Sequence, residues 1–229
     1  MRYAVRQGLW PERHQKATGT MDTTRLSPAL IELAYRQGIF PMADDDGSIL
    51  WFSPDPRAVI PLEPEAFHVP RSLAKTIRNG TFEVRIDTAF ADVLAGCADR
   101  RETWISGEIA RVYLALHQRG QAHSVEAWRD GQLQGGLYGV SLGGAFMGES
   151  MFSRATDASK VCLAALVERL RDRGYTLLDS QFHTPHLARF GLQLIPRDLY
   201  LERLAVALTQ TCRFGDPEIP AKDAVCQRT

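Results

Sequence analysis

The chain of 229 residues has little cysteine, and what it has is scattered. Cys97, Cys162, Cys212 and Cys226 form no CxxC pair, and none has a histidine at zinc-ligand spacing. A zinc ribbon and a dithiol redox motif are therefore excluded, and free thiols in a reducing compartment are the simplest reading. Long apolar runs are missing too: no stretch approaches the roughly 20 apolar residues of a membrane span. The first 20 residues lack the apolar core of a signal peptide. Net charge is absent, with 27 basic against 27 acidic residues. A nucleic-acid partner would have to rest on local clusters. No repeat and no low-complexity tract breaks the chain.

What is present is a globular composition, 45% hydrophobic, long enough to bury a large core. Residues 1–20 carry Arg2, Arg6, Arg13 and Lys16 against Glu12 and are expected to be a disordered basic arm. Ser27 and Pro28 then open a short helix stopped at Gly38, with Leu30, Leu33 and Ala34 as its apolar face. IFPMADDDGS reads as a loop and ILWF as a short strand. The proline-rich SPDPRAVIPLEPE cannot continue a helix. These features predict a small N-terminal domain over 21–63 and a main domain over 64–213. A loose tail is expected over 214–229.

The main domain opens with a helix ending at Gly80, a strand at FEVRIDT and two further helices, the second stopped by Gly120. The clearest β signal follows. Asp130-Gly131 and Gly143-Gly144 mark hairpin turns between alternating segments. A long helix capped by Thr156 or Asp157 runs to Gly174. After it come a strand at YTLLDSQF, a short helix, the strand LQLIP and a last helix. The pattern is mixed α/β (α+β) with an antiparallel start.

Several side chains could carry chemistry. Asp179 and Gln181 stand two apart on a predicted strand, so both face one side. By spacing alone they are an acid and an amide at the mouth of a strand. Glu149 is flanked by apolar residues, where an unpaired carboxylate is costly. It either meets a cation of a substrate or forms a structural salt bridge, for example to Arg154 or Lys160. Leu163, Leu166 and Leu170 follow helical spacing, and Leu137, Met151 and Leu178 could face them. That set is a core or an apolar slot. Arg71, Lys75 and Arg78 share one helix face and could meet phosphates. Arg169, Arg171 and Arg173 read as a solvated helix end. His183 and His186 lack an evident third ligand, so no metal is expected.

Nine strings occur in order: GIFPM (38–42), WFSPDPRAVIPL (51–62), TWI (103–105), AHSVEAW (122–128), GGLYGV (135–140), GESMFS (148–153), ASK (158–160), LLDSQF (177–182) and IPR (195–197). Together they closely resemble the leucyl/phenylalanyl-tRNA–protein transferase family, over about residues 26–208. The resemblance implies a main domain with a GNAT-like, largely antiparallel mixed sheet, behind a small N-terminal domain. It implies a cytoplasmic enzyme moving Leu, Phe or, less well, Met from aminoacyl-tRNA to proteins that begin with Arg or Lys. The product is an N-terminal degradation signal, and neither metal nor cofactor is used. It assigns Asp179 and Gln181 to catalysis, with Asp179 polarising or fixing Gln181, and Glu149 to acceptor binding. It also assigns Leu137, Met151, Leu163, Leu166, Leu170 and Leu178 to the aminoacyl side-chain pocket. Trp51, Phe52 and Trp104 are candidates to stack on the terminal adenosine. Thr184 stands where many members carry Asn and is a further contact position.

Two other classes make different predictions. An acetyl-CoA-dependent N-acetyltransferase normally needs a glycine-rich turn after the meander, and SRATDASK has no glycine. An RNA-binding module without activity would be expected to carry basic repeats, and none occur.

Overall fold

The computed structural model describes residues 26–44, 46–100 and 103–215. The expected basic arm over 1–20 lies outside the described residues, as do 216–229 of the expected tail. The order is α1 (Pro28–Arg36), β1 (Phe40–Ala43), β2 (Ile49–Phe52), β3 (Arg57–Ile60), α2 (Arg71–Arg78), β4 (Glu83–Ile86), α3 (Phe90–Ala98) and α4 (Gly107–Gln118). Then come β5 (Ala122–Arg129), β6 (Gln132–Leu142), β7 (Ala145–Ser153), α5 (Ala158–Asp172), β8 (Leu177–Gln181), α6 (Pro185–Ala188), β9 (Gln193–Ile195) and α7 (Arg197–Leu208).

Strands β1 and β2 form a ribbon of their own, and the other seven form one sheet in the order β4-β5-β6-β7-β8-β3-β9. Its neighbours pair antiparallel except β7 and β8, which are parallel and joined through α5. The mixed, largely antiparallel α/β architecture expected from the sequence is thus present. Asp130 and Gly131, at the β5–β6 hairpin, both have positive φ (52° and 71°), as a two-residue primed turn requires.

Local signals explain the helix starts. Ser27 accepts from the Leu30 N–H, Ser106 from Ile109 and Thr184 from Leu187, each satisfying an orphan donor. Asp157 does not cap α5 in this way. Its backbone is left-handed (φ 69°), and its carboxylate accepts instead from Lys160 Nζ at 2.6 Å.

Four sequence expectations change. Phe40–Ala43, read as loop, is a fully buried strand paired with β2, because its apolar side chains cover the N-terminal core. Leu33 is exposed, and Ile31, Ala34 and Tyr35 form the buried face of α1. Arg57–Ile60, recognised only as a stretch that prolines keep from being helical, is a buried strand deep in the sheet, between β8 and β9. It precedes the expected boundary at Pro64. The arginines at the end of α5 are not a solvated face. Arg169 Nε donates to the Phe214 carbonyl at 2.9 Å, Arg173 to Gly215 at 3.2 Å, and Arg171 to Leu62. Arg169 also lies over the ring of Phe214, 2% exposed, which packs against the rings of His123 and Phe146.

Two apolar clusters cover the sheet. One gathers residues of α1, α3, α4 and α7, and the other residues of α2 and α5 with Phe190 and Phe214. The neighbours Leu177 and Leu178 of β8 belong to different clusters, as alternation on a strand demands.

Candidate active site

Pairing of β7 with β8 ends at Met147 and Asp179. Just beyond it stand Glu149 on β7 and Gln181 on β8. Glu149 owes its position to a register shift: Gly148 opposes Gly139 and Ser150 opposes Tyr138, so Glu149 has no partner on β6. Such a bulge re-aims a side chain out of the alternating pattern.

Asp179, with no exposed surface, accepts from four donors. Arg57 forks onto it through Nε to Oδ1 at 2.9 Å and Nη2 to Oδ2 at 2.6 Å. The Tyr200 hydroxyl donates to Oδ2 at 2.9 Å, and the Gln181 backbone N–H to Oδ1 at 2.8 Å. Burial works against the charge on Arg57, but Asp179 outweighs it and raises the guanidinium pKa above its ordinary value. Arg57 also lies against the rings of Phe40 and Tyr200 and donates to the Gly38 carbonyl at 3.0 Å. Gly38 has φ 73°, a left-handed backbone that favours glycine, and a Cβ there would lie 2.7 Å from the Leu201 side chain, which would have to shift.

The sequence reading that Asp179 and Gln181 face one side agrees with these bonds. The link between them is the backbone, however, and not the carboxamide. Gln181 takes φ 65°, uncommon outside glycine. The Asp179 carboxylate holds its N–H there, and the carboxamide turns to donate from Nε2 to Glu149 Oε1 at 2.8 Å.

Glu149 completes the group. It is partly exposed, while Tyr35 (1%) and Tyr113 (0%) are sealed behind it. Tyr35 Oη lies 2.5 Å from Glu149 Oε1, Tyr113 Oη 2.9 Å from Oε2, and the two hydroxyls 2.5 Å from each other. Burial raises the Glu149 pKa to about 7, against the lowering effect of the two hydroxyls. Burial also raises both tyrosines well above their ordinary range, and Glu149 adds to it, so they serve as neutral donors. Neither salt bridge considered from sequence forms: Arg154 donates to the Leu133 carbonyl and Lys160 to Asp157. Sequence reasoning misses Tyr35, Tyr113, Arg57 and Tyr200 as site residues. AYRQG and SPDPR hold the first and third of these in view, but a buried hydroxyl looks like any core aromatic in a sequence.

Leu137, Leu163, Leu166, Leu170 and Leu178 are all buried in the α5-side cluster, with Met151 packed at its edge and partly exposed. Leu178 and Asp179 lie on opposite faces of β8, so the sheet stands between this cluster and the polar group except where β7 and β8 part. Phe52 is core, 5% exposed and stacked on Phe40 at 6.0 Å. Trp51 and Trp104 are partly exposed, and the Trp51 indole N–H is buried without a partner. The Thr184 hydroxyl accepts the Leu187 N–H as the α6 cap. Arg71, Lys75 and Arg78 are exposed along α2. Among the described residues, no group of three or more His, Cys, Asp or Glu could hold a metal ion, and no helix is long and apolar enough to cross a membrane.

Comparison with known proteins identifies the family. The profile of the leucyl/phenylalanyl-tRNA protein transferase family matches residues 61–205, and that of the family's N-terminal domain matches 24–55. The leucyl/phenylalanyl-tRNA–protein transferase of Herpetosiphon aurantiacus is 59% identical over 192 residues, covering 84% of this chain and all of that protein. That of Rubrobacter xylanophilus is 58% identical over 185 residues, 80% of this chain and 96% of the relative. Among solved structures, a ribosomal-protein-alanine N-acetyltransferase from Brucella melitensis shares 18% identity at a TM-score of 0.36, a loose likeness covering 53% of this chain and 89% of that one. The chain belongs to the leucyl/phenylalanyl-tRNA protein transferase family. It is an aminoacyltransferase.

Proposed function

We propose that this enzyme transfers Leu or Phe, and less readily Met, from aminoacyl-tRNA to proteins beginning with Arg or Lys. The product is a peptide bond and an N-terminal degradation signal, made in the cytoplasm. The observation that carries the reading is the meeting of Glu149, Gln181 and Asp179 at the end of the β7–β8 pairing.

An aminoacyl ester is already activated, so amide formation runs downhill without ATP. The nucleophile is an α-amine of pKa roughly 8, partly neutral at pH 7. The enzyme must orient amine and ester and assist proton loss. Glu149, the partly exposed anion of the group, suits the ammonium of the acceptor's first residue. Gln181 donates its N–H to Glu149, which leaves its carbonyl oxygen to orient the amine. Asp179 is sealed from solvent and acts through the Gln181 backbone, as a positioning residue. The apolar side chain of the transferred residue belongs with Met151 and the leucines of the α5-side cluster, the acyl ester entering where β7 and β8 part. Met151 is unbranched and adaptable, which suits both Leu and Phe. Trp51 and Trp104 offer faces to the terminal adenosine, Thr184 lies close to Gln181 in sequence as a further contact, and Arg71, Lys75 and Arg78 offer charge to phosphates.

The direct test is transfer from Leu-, Phe- and Met-charged tRNA to Arg-, Lys- and Ala-initiated peptides. Label should reach the Arg and Lys peptides and not the Ala peptide. Equal labelling of all three would remove the acceptor specificity, and no labelling would remove the reaction.

A further inference from the structure

Three oxygen contacts close a ring at Glu149. They run from Tyr35 Oη to Oε1, from Tyr113 Oη to Oε2, and between the two hydroxyls. Each contact is a hydrogen bond only if a proton lies within it. Two hydroxyls supply two protons. The third can come only from a carboxylic acid. With it, the ring runs one way around: Glu149 Oε2–H donates to Tyr113, Tyr113 to Tyr35, and Tyr35 to Oε1, which also accepts from Gln181. Without it, the two hydroxyls turn onto the carboxylate and the contact between them is left bare. The ring therefore gains its third hydrogen bond when Glu149 takes up a proton, and the two hydroxyls turn onto the carboxylate when it gives the proton up.

No neighbour replaces Glu149 in this role. Asp179 is enclosed by Arg57, Tyr200 and the Gln181 N–H. A carboxamide is a poor base. Beyond the ring, the Arg100 guanidinium donates to the Met151 carbonyl, and the nearby weak acids are Tyr138 from β6, whose buried hydroxyl has no partner, and Cys97 from α3, which neighbours Tyr138. Burial raises the pKa of both, so neither is an anion near neutrality. Glu149 is the member of the ring with surface open to a substrate.

We propose that Glu149 is the proton acceptor of the transfer reaction, taking a proton from the acceptor's α-ammonium, with Tyr35 and Tyr113 as positioning residues that set its affinity for that proton. This rests on the transfer reaction proposed above. The ammonium gives one proton to the Glu149 carboxylate and becomes an amine. The amine lone pair forms the C–N bond at the ester carbonyl. The C–O bond to the tRNA ribose then breaks, and the nitrogen's second proton goes to the departing ribose oxygen. The products are amide, free tRNA and neutral Glu149, which returns its proton to water.

The test is the pH dependence of kcat at saturating charged tRNA and Arg-initiated peptide, for the parent enzyme, Glu149→Gln and Tyr113→Phe. The parent should show a limb rising through about pH 7. Glu149→Gln should lose that limb and about a hundredfold or more in kcat, beyond any rise in peptide KM from the lost contact with the ammonium. Tyr113→Phe should move the limb upward by roughly 0.5–1 pH unit, since a carboxylate loses more from a missing donor than a neutral acid does. A purely structural tyrosine would lower kcat without moving the limb, and that result overturns the inference. So does a Glu149→Gln variant that raises the peptide KM and keeps kcat, although acceptor binding by Glu149 would then stand. If the parent transfers nothing, the reaction itself is wrong. Infrared difference spectra of the free enzyme give an activity-independent check: a neutral carboxyl band should titrate near pH 7 and vanish in Glu149→Gln. Its persistence in that variant would also sink the inference.

Discussion

Asp179 and Glu149 are both acids at the same end of the sheet, yet they have different partners. Asp179 is matched by a bidentate guanidinium, a pairing that is expensive to break once buried. Asp179→Ala should therefore cost about 3–5 kcal/mol of stability, seen as a lower midpoint in denaturant. The sequence alone predicts that this variant loses transfer and keeps tRNA binding. The structure adds that its loss of activity must be read against folded fraction, and the same denaturation curve checks it. The pKa of Glu149 is raised from 4.5 to about 7, so the stability tied to its neutral form is complete below about pH 4.5 and is lost as pH rises through 7. Glu149→Gln cannot ionise. Its stability relative to the parent should be flat in acid and rise between those limits by on the order of 3 kcal/mol. Melting temperatures of both proteins at pH 4.5 and pH 8 decide this. A constant difference would mean that burial does not raise the carboxyl. Asp179, Gln181 and Glu149 stand out in the sequence as polar residues in apolar strings, and the family resemblance is what singles them out for a role. Tyr35, Tyr113 and Arg57 do not stand out. Their partners are 114, 36 and 122 residues away along the chain, and no local pattern encodes a contact of that range.

At the scale of elements, helix ends and hairpins follow from local chemistry: Ser27, Ser106, Asp130-Gly131. What the sequence does not reveal is pairing. RAVI between prolines has too few residues to show a period, and only its buried place between β8 and β9 makes it a strand. The bulge at Glu149 is equally hidden, since nothing in GESMFS announces an extra residue. Helix α5 carries its own prediction. Leu166 is 2% exposed in the middle of the α5-side cluster. Leu166→Ala should cost about 2–5 kcal/mol as a cavity forms. If that face also receives the aminoacyl side chain, the same change should favour Phe over Leu in competition. A stability loss with an unchanged Phe-to-Leu ratio would leave Leu166 as core alone.

For the molecule as a whole, a neutral net charge hides the exposed basic row of α2. If Arg71, Lys75 and Arg78 contact phosphates, replacing all three with Ala should weaken aminoacyl-tRNA binding at low salt. It should also reduce the slope of log affinity against log salt by roughly 2–3, near 0.7–0.9 for each phosphate no longer neutralised. Peptide KM should stay put. An unchanged slope would return the row to the solvated surface. Gross architecture is readable because helices, an antiparallel meander and a final crossover appear in that order along the chain. The position of β3 in the larger sheet is not, because it depends on where the chain goes after residue 177.

Tyr35 and Gly38, both N-terminal to the ribbon, are bonded to Glu149 and Arg57. Residues 35–38 are thus a structural part of the proposed reaction centre and not an appendage to it. Chimeras that graft residues 26–55 from a relative should work only when the donor supplies a phenol at position 35 and a glycine at position 38, however closely the rest is matched.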